Sequence, residues 1–382
     1  MRNRSIYLDH AASTFIPMSV LDEVMDALKQ SQGNPSSIHA EGRNARVMLE
    51  AGRRKVAGLL HALPSEIVFT SGGTEANNAV LWSCYKDLGI KTFISSELEH
   101  PSVIRSLESL KRHFGVEVSF VRADQQGLID LSHLEELLYR YDRALVSLMH
   151  ANNEIGTLLP VKDVSALCRK AGALFHSDTV QTIGKYHTDL SFGIFDFAVA
   201  SGHKFHGPKG AGFLYVRHGL PLKPFIVGGN QERGMRAGTE NLAGVVGLSA
   251  ALAYCYADLE ASQRHIKDLK DHLVKSLRIA FPGVVFNGDM TGRSAYSILN
   301  FSLPVRIDTA ILLSRLDMEG ICVSSGSACS SGSIKGSSVL AALGVSADTP
   351  SLRVSFSRQN TKTEIDEFVQ ALQVIVRENI KY

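Results

Sequence analysis

Between residues 65 and 216, short apolar and β-branched runs alternate with stretches whose apolar residues recur at helical spacing. The short runs predict strands at 66–70, 92–95, 116–121, 145–150, 174–177, 197–200 and 212–216. The longer stretches predict helices over 74–85, 101–114, 131–141, 161–171 and, after the last strand, 243–281. Strand and helix in alternation build βαβ units, hence an α/β fold with a mainly parallel seven-stranded sheet between helices. Past 281 the pattern changes to shorter strands at 284–288, 297–303, 320–324 and 352–356, mixed with helices that include 362–379. That second pattern predicts a smaller α+β domain completed by the first dozen residues. The expected division is 15–255 for the large domain, with 1–14 and 256–382 forming the small one.

A parallel sheet collects ligands at the carboxyl ends of its strands, so the residues just past each run matter most. The first run enters Ser71-Gly72-Gly73-Thr74-Glu75, where two glycines and a helix N-terminus offer N–H groups to an anion. An ordinary capped helix begins the same way, and neither a Gly-Lys-Ser/Thr loop nor a Gly-x-Gly-x-x-Gly turn is present. The second run ends at Glu99-His100-Pro101, where His100 suits either a helix cap or a ligand contact. Two later runs end in His150-Ala151-Asn152-Asn153-Glu154 and in Asp178, with Gln181 three residues on. A near-apolar run then delivers Ser201-Gly202-His203-Lys204. Burial and neighbouring cations lower the pKa of an amine, as a Schiff-base lysine requires. The aldehyde cofactor that pairs with such a lysine is pyridoxal 5'-phosphate, which needs an acid at its ring nitrogen and an anion site. Asp178 suits the first need; Gly73, Thr74, Ser201 and His203 suit the second.

Composition narrows the picture. The chain has 382 residues, 45% hydrophobic and 20% charged, which fits about two globular domains. A formal net charge of +2 without a long basic run disfavours nucleic acid as a direct partner. Five irregularly spaced cysteines argue against a disulfide framework, and no Cys-x-x-Cys or His-Glu-x-x-His element marks a metal site. With no apolar leader and no membrane-length apolar run, a cytoplasmic location without a membrane partner is expected. Cys84, Cys168 and Cys255 sit in apolar helical patterns and read as buried. Cys329 differs: the run Ser324 to Ser333 holds six serines and two glycines around it, a composition for a loop. On the composition alone, a linker and a sulfur nucleophile are equally good readings of it.

The ordered series of motifs decides between them. Tyr7-Leu8-Asp9, Gly33-Asn34-Pro35-Ser36-Ser37, Ser71-Gly72-Gly73-Thr74-Glu75, Glu99-His100, Asn152-Asn153-Glu154, Asp178-x-x-Gln181, Ser201-Gly202-His203-Lys204, Arg233 to Thr239 and Ser324 to Cys329 together resemble cysteine desulfurases of the NifS/IscS type. These belong to the class V aminotransferases, with the fold-type I architecture of pyridoxal-phosphate enzymes. The serine-rich segment resembles the first group within them. The resemblance implies that Lys204 carries the cofactor as a Schiff base, that His100 stacks on the ring and moves protons, and that Asp178 pairs with the ring nitrogen. It implies Gln181 at the ring oxygen and Gly73, Thr74, Ser201 and His203 at the phosphate, with Thr239 reaching it from the second subunit of a homodimer. Asn34, Asn153 and Arg353 would hold L-cysteine, Arg353 taking its carboxylate and Asn153 also meeting the cofactor. Cys329 would accept the sulfur as a persulfide while alanine leaves, then pass it to an iron–sulfur scaffold or a tRNA-thiolation enzyme. No resident metal is expected; a transferred iron–sulfur cluster at Cys329 is the sole metal contact the resemblance brings.

Three segments depart from the pattern: Asp9-His10-Ala11-Ala12-Ser13-Thr14 near the start, 334–338 after the serine-rich run, and a short stretch after the last helix. They bear on the identity of the sulfur acceptor rather than on the chemistry. Rival readings are a selenocysteine lyase or aminotransferase on the same fold, a silent adaptor, and a nucleotide-binding protein using the 71–77 loop.

Overall fold

The structure, a computed structural model, describes residues 5–30, 32–326 and 337–379. It opens with strand β1 (Ile6–Tyr7) and helices α1 (Met18–Gln30) and α2 (Ala40–Leu59). The alternation follows: β2 (Ile67–Thr70), α3 (Gly73–Lys86), β3 (Thr92–Ser95), α4 (Pro101–Phe114), β4 (Glu117–Phe120) and α5 (Leu131–Arg140). It continues through β5 (Ala144–Ser147), α6 (Val161–Lys170), β6 (Leu174–Asp178), β7 (Phe197–Ser201) and β8 (Gly212–Val216).

Seven of these strands make one sheet in the order β2-β8-β7-β6-β5-β3-β4. Within it β8 runs antiparallel to both neighbours and every other pairing is parallel. Both faces are covered, and β7 shows how. Phe197 and Val199 join a core with Val80 and Leu107 from α3 and α4, whereas Ala198 and Ala200 join one with Val56, Val164 and Leu248. A strand buried on both faces needs an unbroken apolar run, which is what residues 197–200 supply. The helices start and stop where the sequence allows. His100 caps α4 by accepting the Ser102 N–H, Pro101 occupies the first turn, and Gly115 ends the helix at φ +64.

The expected single helix over 243–281 is instead two, α7 (Leu242–Ala257) and α8 (Leu259–Ala280), bent by 75°. Asp258 breaks the helix at φ −141, ψ 41, and its carbonyl accepts both the Ser262 N–H and its hydroxyl. The two halves do different work. α7 is buried on most sides against α1 and α2, while α8 presents one apolar stripe. Among the described residues no single helix is long and apolar enough to cross a membrane. Helices α1 and α2 are also absent from the pattern-based expectations.

The remaining elements are β9 (Val285–Asn287), β10 (Ile298–Ser302), α9 (Thr309–Met318), β11 (Ile321–Cys322), α10 (Ser338–Ala342), β12 (Ser351–Ser355) and α11 (Lys362–Asn379). Strands β12-β10-β9 form an antiparallel sheet, and β1 pairs in parallel with β11. Phe301, Leu352 and Val354 pack with Leu273, Phe368 and Leu372 in a core that also takes Ile6 and Leu8. Residues 6–14 thus run from this second core to the edge of the large sheet, where Thr14 N donates to His203 O (2.8 Å).

One buried ion pair fixes a loop near the site. Arg53, 1% exposed on α2, makes a two-pronged contact with Glu232 (2.7 and 2.8 Å), whose Oε2 also accepts the Phe69 N–H. Glu232 and Arg233 hold positive φ angles of 45° and 59°, which turn the chain toward Thr239.

Candidate active site

Five strand ends, those of β2, β3, β5, β6 and β7, open on one edge of the large sheet because these strands run in the same direction. At the end of β2, Gly72 adopts φ +153, ψ −175, a region open to glycine alone. A Cβ added there would stand 3.3 Å from Ser201 Oγ, so the start of α3 and the end of β7 face each other across a narrow gap. Gly73 is equally confined: its added Cβ would meet Val180 Cγ2 at 2.8 Å. Thr74 is exposed at this edge and Ser201 is buried. His203 is half-buried, with Nδ1 3.4 Å from Ser13 Oγ; burial, then Lys204, Lys209 and Lys185, lower its pKa to about 4.

Lys204 is half-buried, and its Nζ donates to the carbonyls of Ala11 (2.7 Å) and Ala12 (2.9 Å). Asp178 ends β6 with its carboxylate nearly buried, accepting from Val180 N (3.0 Å) and Asn77 Nδ2 (2.7 Å). Asn77 Nδ2 also donates to Ser102 Oγ (2.9 Å). Ser102 in turn offers its N–H (3.1 Å) and its hydroxyl (2.8 Å) to His100 Nδ1. Since Nδ1 accepts the backbone N–H, the ring proton is assigned to Nε2. Burial lowers the His100 pKa; Asp178 opposes that shift and Lys204 adds to it. Both the acid and the amine therefore act on this imidazole, and the three expected catalytic-edge residues are brought together. Gln181 is buried beside them, its Nε2 donating to Ala11 O (3.0 Å).

Arg353, on β12 and 1% exposed, donates from Nη2 to Asp9 Oδ1 (2.7 Å) and from Nη1 to the Asn153 carbonyl (2.9 Å). Its Nε has no partner among the described residues. An orphaned buried donor on a guanidinium is costly, and an incoming carboxylate would relieve it. Asn153 thus meets Arg353 through its backbone. Asn34 lies in the exposed loop between α1 and α2, where its Oδ1 accepts the Ser36 N–H (2.9 Å). Thr239 is exposed ahead of α7. Cys329 falls outside the described residues. The three cysteines expected in the core are there, at 0–2% exposure, and burial raises the Cys168 and Cys255 thiols to about 12.

Four residues at the site carry roles that the sequence reading left unassigned. Asp9 holds Arg353, and Asn77 links Asp178 to His100. Glu99, 4% exposed, accepts the Met149 N–H (2.5 Å), and burial followed by Asp178 raises its pKa well above the usual carboxyl range. Lys185 donates to Gln181 Oε1 (2.9 Å). Asp9 and Glu99 lie inside motifs already singled out. Asn77 closes the 71–77 loop, and Lys185 had only its nearness to Gln181 to mark it.

The family description Aminotransferase class-V matches residues 6–368. The chain belongs to the class-V aminotransferases. Within this family it resembles the NifS/IscS type, as the motif order implies. Cysteine desulfurase 2 of Trichormus variabilis is 41% identical over 380 residues, spanning 97% of this chain and 93% of that protein. Cysteine desulfurase IscS of Dictyoglomus turgidum is 37% identical, spanning 98% and 95%. A solved NifS-like protein superposes with a TM-score of 0.90 at 35% identity, covering 98% of this chain and all of the other. These likenesses run through both cores and set this class-V aminotransferase among fold-type I enzymes.

Proposed function

We propose that this class-V aminotransferase is a cysteine desulfurase that uses pyridoxal phosphate, converts L-cysteine to L-alanine and loads the sulfur onto Cys329. The observation that carries the reading is the convergence of Lys204, Asp178 and His100 at one sheet edge: Asp178 reaches His100 through Asn77 and Ser102, and Lys204 Nζ shares the Ala11 carbonyl with Gln181. The residues fit the cofactor. Gly72 leaves open the space that a Cβ would fill beside Ser201, and a nearly buried carboxylate stands at the end of β6. Gly73, Thr74, Ser201 and His203 would hold the phosphate, Asp178 the ring nitrogen, Gln181 the ring oxygen and Lys204 the aldehyde carbon, with His100 over the ring. When bound, the cofactor supplies an electron sink for charge that develops at the substrate α-carbon.

The chain's own groups do the rest. Arg353, steadied by Asp9, takes the substrate carboxylate, and Asn34 and Asn153 complete the substrate contacts. Lys204 Nζ removes the α-proton and returns it as alanine forms, and His100 Nε2 moves protons beside it. The Cys329 thiolate attacks the substrate sulfur: an S–S bond forms, the C–S bond breaks, and its electron pair is protonated at carbon to give alanine. Cysteine and thiol become alanine and persulfide, so no outside oxidant or reductant enters. The flanking serines and glycines give Cys329 a loop composition suited to handing sulfur to an acceptor, either an iron–sulfur scaffold or a tRNA-thiolation enzyme.

The same reading makes the active unit a cytoplasmic homodimer in which Thr239 reaches the phosphate of the partner subunit. Support comes from the exposure of Thr239 and from the large exposed apolar side chains of Met18, Ile38 and Val47. It also divides the chain into 15–255 and a small domain of 1–14 with 256–382; the separate core that takes Ile6 and Leu8 supports this. Mass spectrometry after treatment with L-cysteine should find one added sulfur on Cys329. Normal alanine release from a Cys329→Ala protein would overturn the proposal.

A further inference from the structure

Lys185 stands at the site with no part in the chemistry above. Its Nζ donates to Gln181 Oε1 at 2.9 Å, while Gln181 Nε2 donates at 3.0 Å to Ala11 O, the same carbonyl that accepts from Lys204 Nζ at 2.7 Å. The Ala11 carbonyl can only accept, and Lys185 in its ammonium form can only donate. Both ends of the Gln181 amide therefore demand one orientation, with its oxygen toward Lys185 and its N–H groups away from it. The Ala11 carbonyl fixes the rotamer whatever the charge on Lys185, and the ammonium form fixes it a second time.

The surroundings of Lys185 are cationic. Lys204 and Arg353 oppose its charge, while Lys185 itself presses on His10, His203 and His206. Burial, then Lys204, bring its pKa down to about 7. A cation so placed is stabilised by any anion that settles beyond Gln181.

We propose that Lys185 is a positioning residue: through the locked Gln181 amide it presents an N–H donor to the ring oxygen of the bound cofactor and holds that oxygen as an anion. This rests on the proposed function, in which Gln181 meets that oxygen. Its consequence concerns the nitrogen that joins Lys204 to the cofactor. A cation at Lys185 disfavours a proton there, and an anionic ring oxygen is a weaker proton holder when Gln181 donates to it. Removing the charge should therefore make that nitrogen keep its proton to higher pH.

The test is a pH titration of the visible absorption band of the resting, cofactor-loaded protein, read without substrate. Lys185→Met and Lys185→Gln should each hold the proton about tenfold more tightly, a midpoint about one pH unit higher. Lys185→Arg, which keeps charge and donor, should return close to wild type. In a Gln181→Leu background the Lys185→Met shift should shrink, because the route through the amide is already cut. A loaded, folded Lys185→Met or Lys185→Gln protein with the wild-type midpoint overturns the proposal, and a full shift surviving in Gln181→Leu overturns the route. Wild-type protein that gains no visible band with pyridoxal phosphate overturns the functional reading and this inference together.

Discussion

Glu232→Ala is expected to destabilise the large unit by about 3–5 kcal/mol, the usual cost of stripping one partner from a buried ion pair. The structure shows what is lost. Arg53, 1% exposed, gives up both prongs to Glu232 and, among the described residues, keeps hydrogen bonds to Glu50 Oε1 (3.1 Å) and the Ile67 carbonyl (2.7 Å) and its place over the Phe69 ring. The Phe69 N–H on β2 loses its acceptor as well, which alone costs about 1–3 kcal/mol when buried. Glu50 remains near the guanidinium and offsets part of this, so the sum stays within the stated range. Alanine does nothing for the backbone, since φ stays at +45°. Glu232→Gly should recover about 1 kcal/mol relative to alanine, because glycine adopts that angle without strain. Urea unfolding followed by circular dichroism gives the comparison. A chain with two cores can unfold in more than one step, so the midpoint of the first transition is the quantity to compare. An alanine variant whose midpoint matches wild type, or a glycine variant no better than alanine, would refute the argument.

Two further outcomes follow from burial and backbone shape. Glu99, whose pKa is raised by burial, binds a proton in the folded state at pH values where the unfolded chain releases it, so its contribution is intact below the ordinary carboxyl pKa and is lost as pH rises through the raised value. Glu99→Gln removes that dependence: its urea stability relative to wild type should grow by up to about 1.4 kcal/mol per pH unit above pH 5, and a pH-independent difference would speak against a protonated Glu99. Gly72→Ala forces a side chain into a glycine-only conformation at about 1–3 kcal/mol, with its Cβ 3.3 Å from Ser201 Oγ. Uptake of pyridoxal phosphate, followed by equilibrium dialysis, should weaken by about tenfold or more, and unchanged affinity would remove the 71–74 turn from the anion cradle.

Much of this was legible along the chain because it is local. The seven strands of the large sheet follow from apolar runs of a few residues, and both ends of α4 follow from His100-Pro101 and Gly115. Lys204 and Asp178 are readable because each closes such a run. The break at Asp258 was missed because apolar residues continue across it. The real signal is the change from an all-round apolar helix to a one-sided stripe. Partnerships were least legible. Asp9 and Arg353 meet across 344 positions, and nothing near either one announces the other. The hold of Lys185 on Gln181 spans only four residues, yet it became meaningful only when the Ala11 carbonyl arrived from elsewhere.

Residues 6–14 do more than close the second core. They supply Ala11 and Ala12 to Lys204, Asp9 to Arg353 and a parallel partner to β11. Ala11 N also donates to Ser355 Oγ, 344 positions away. On the ribosome Asp9 and Ala11 emerge 344 positions ahead of Arg353 and Ser355. The contacts that fasten Asp9 and Ala11 to the second core must therefore wait until residue 355 has emerged, long after Lys204 and its strand have been made.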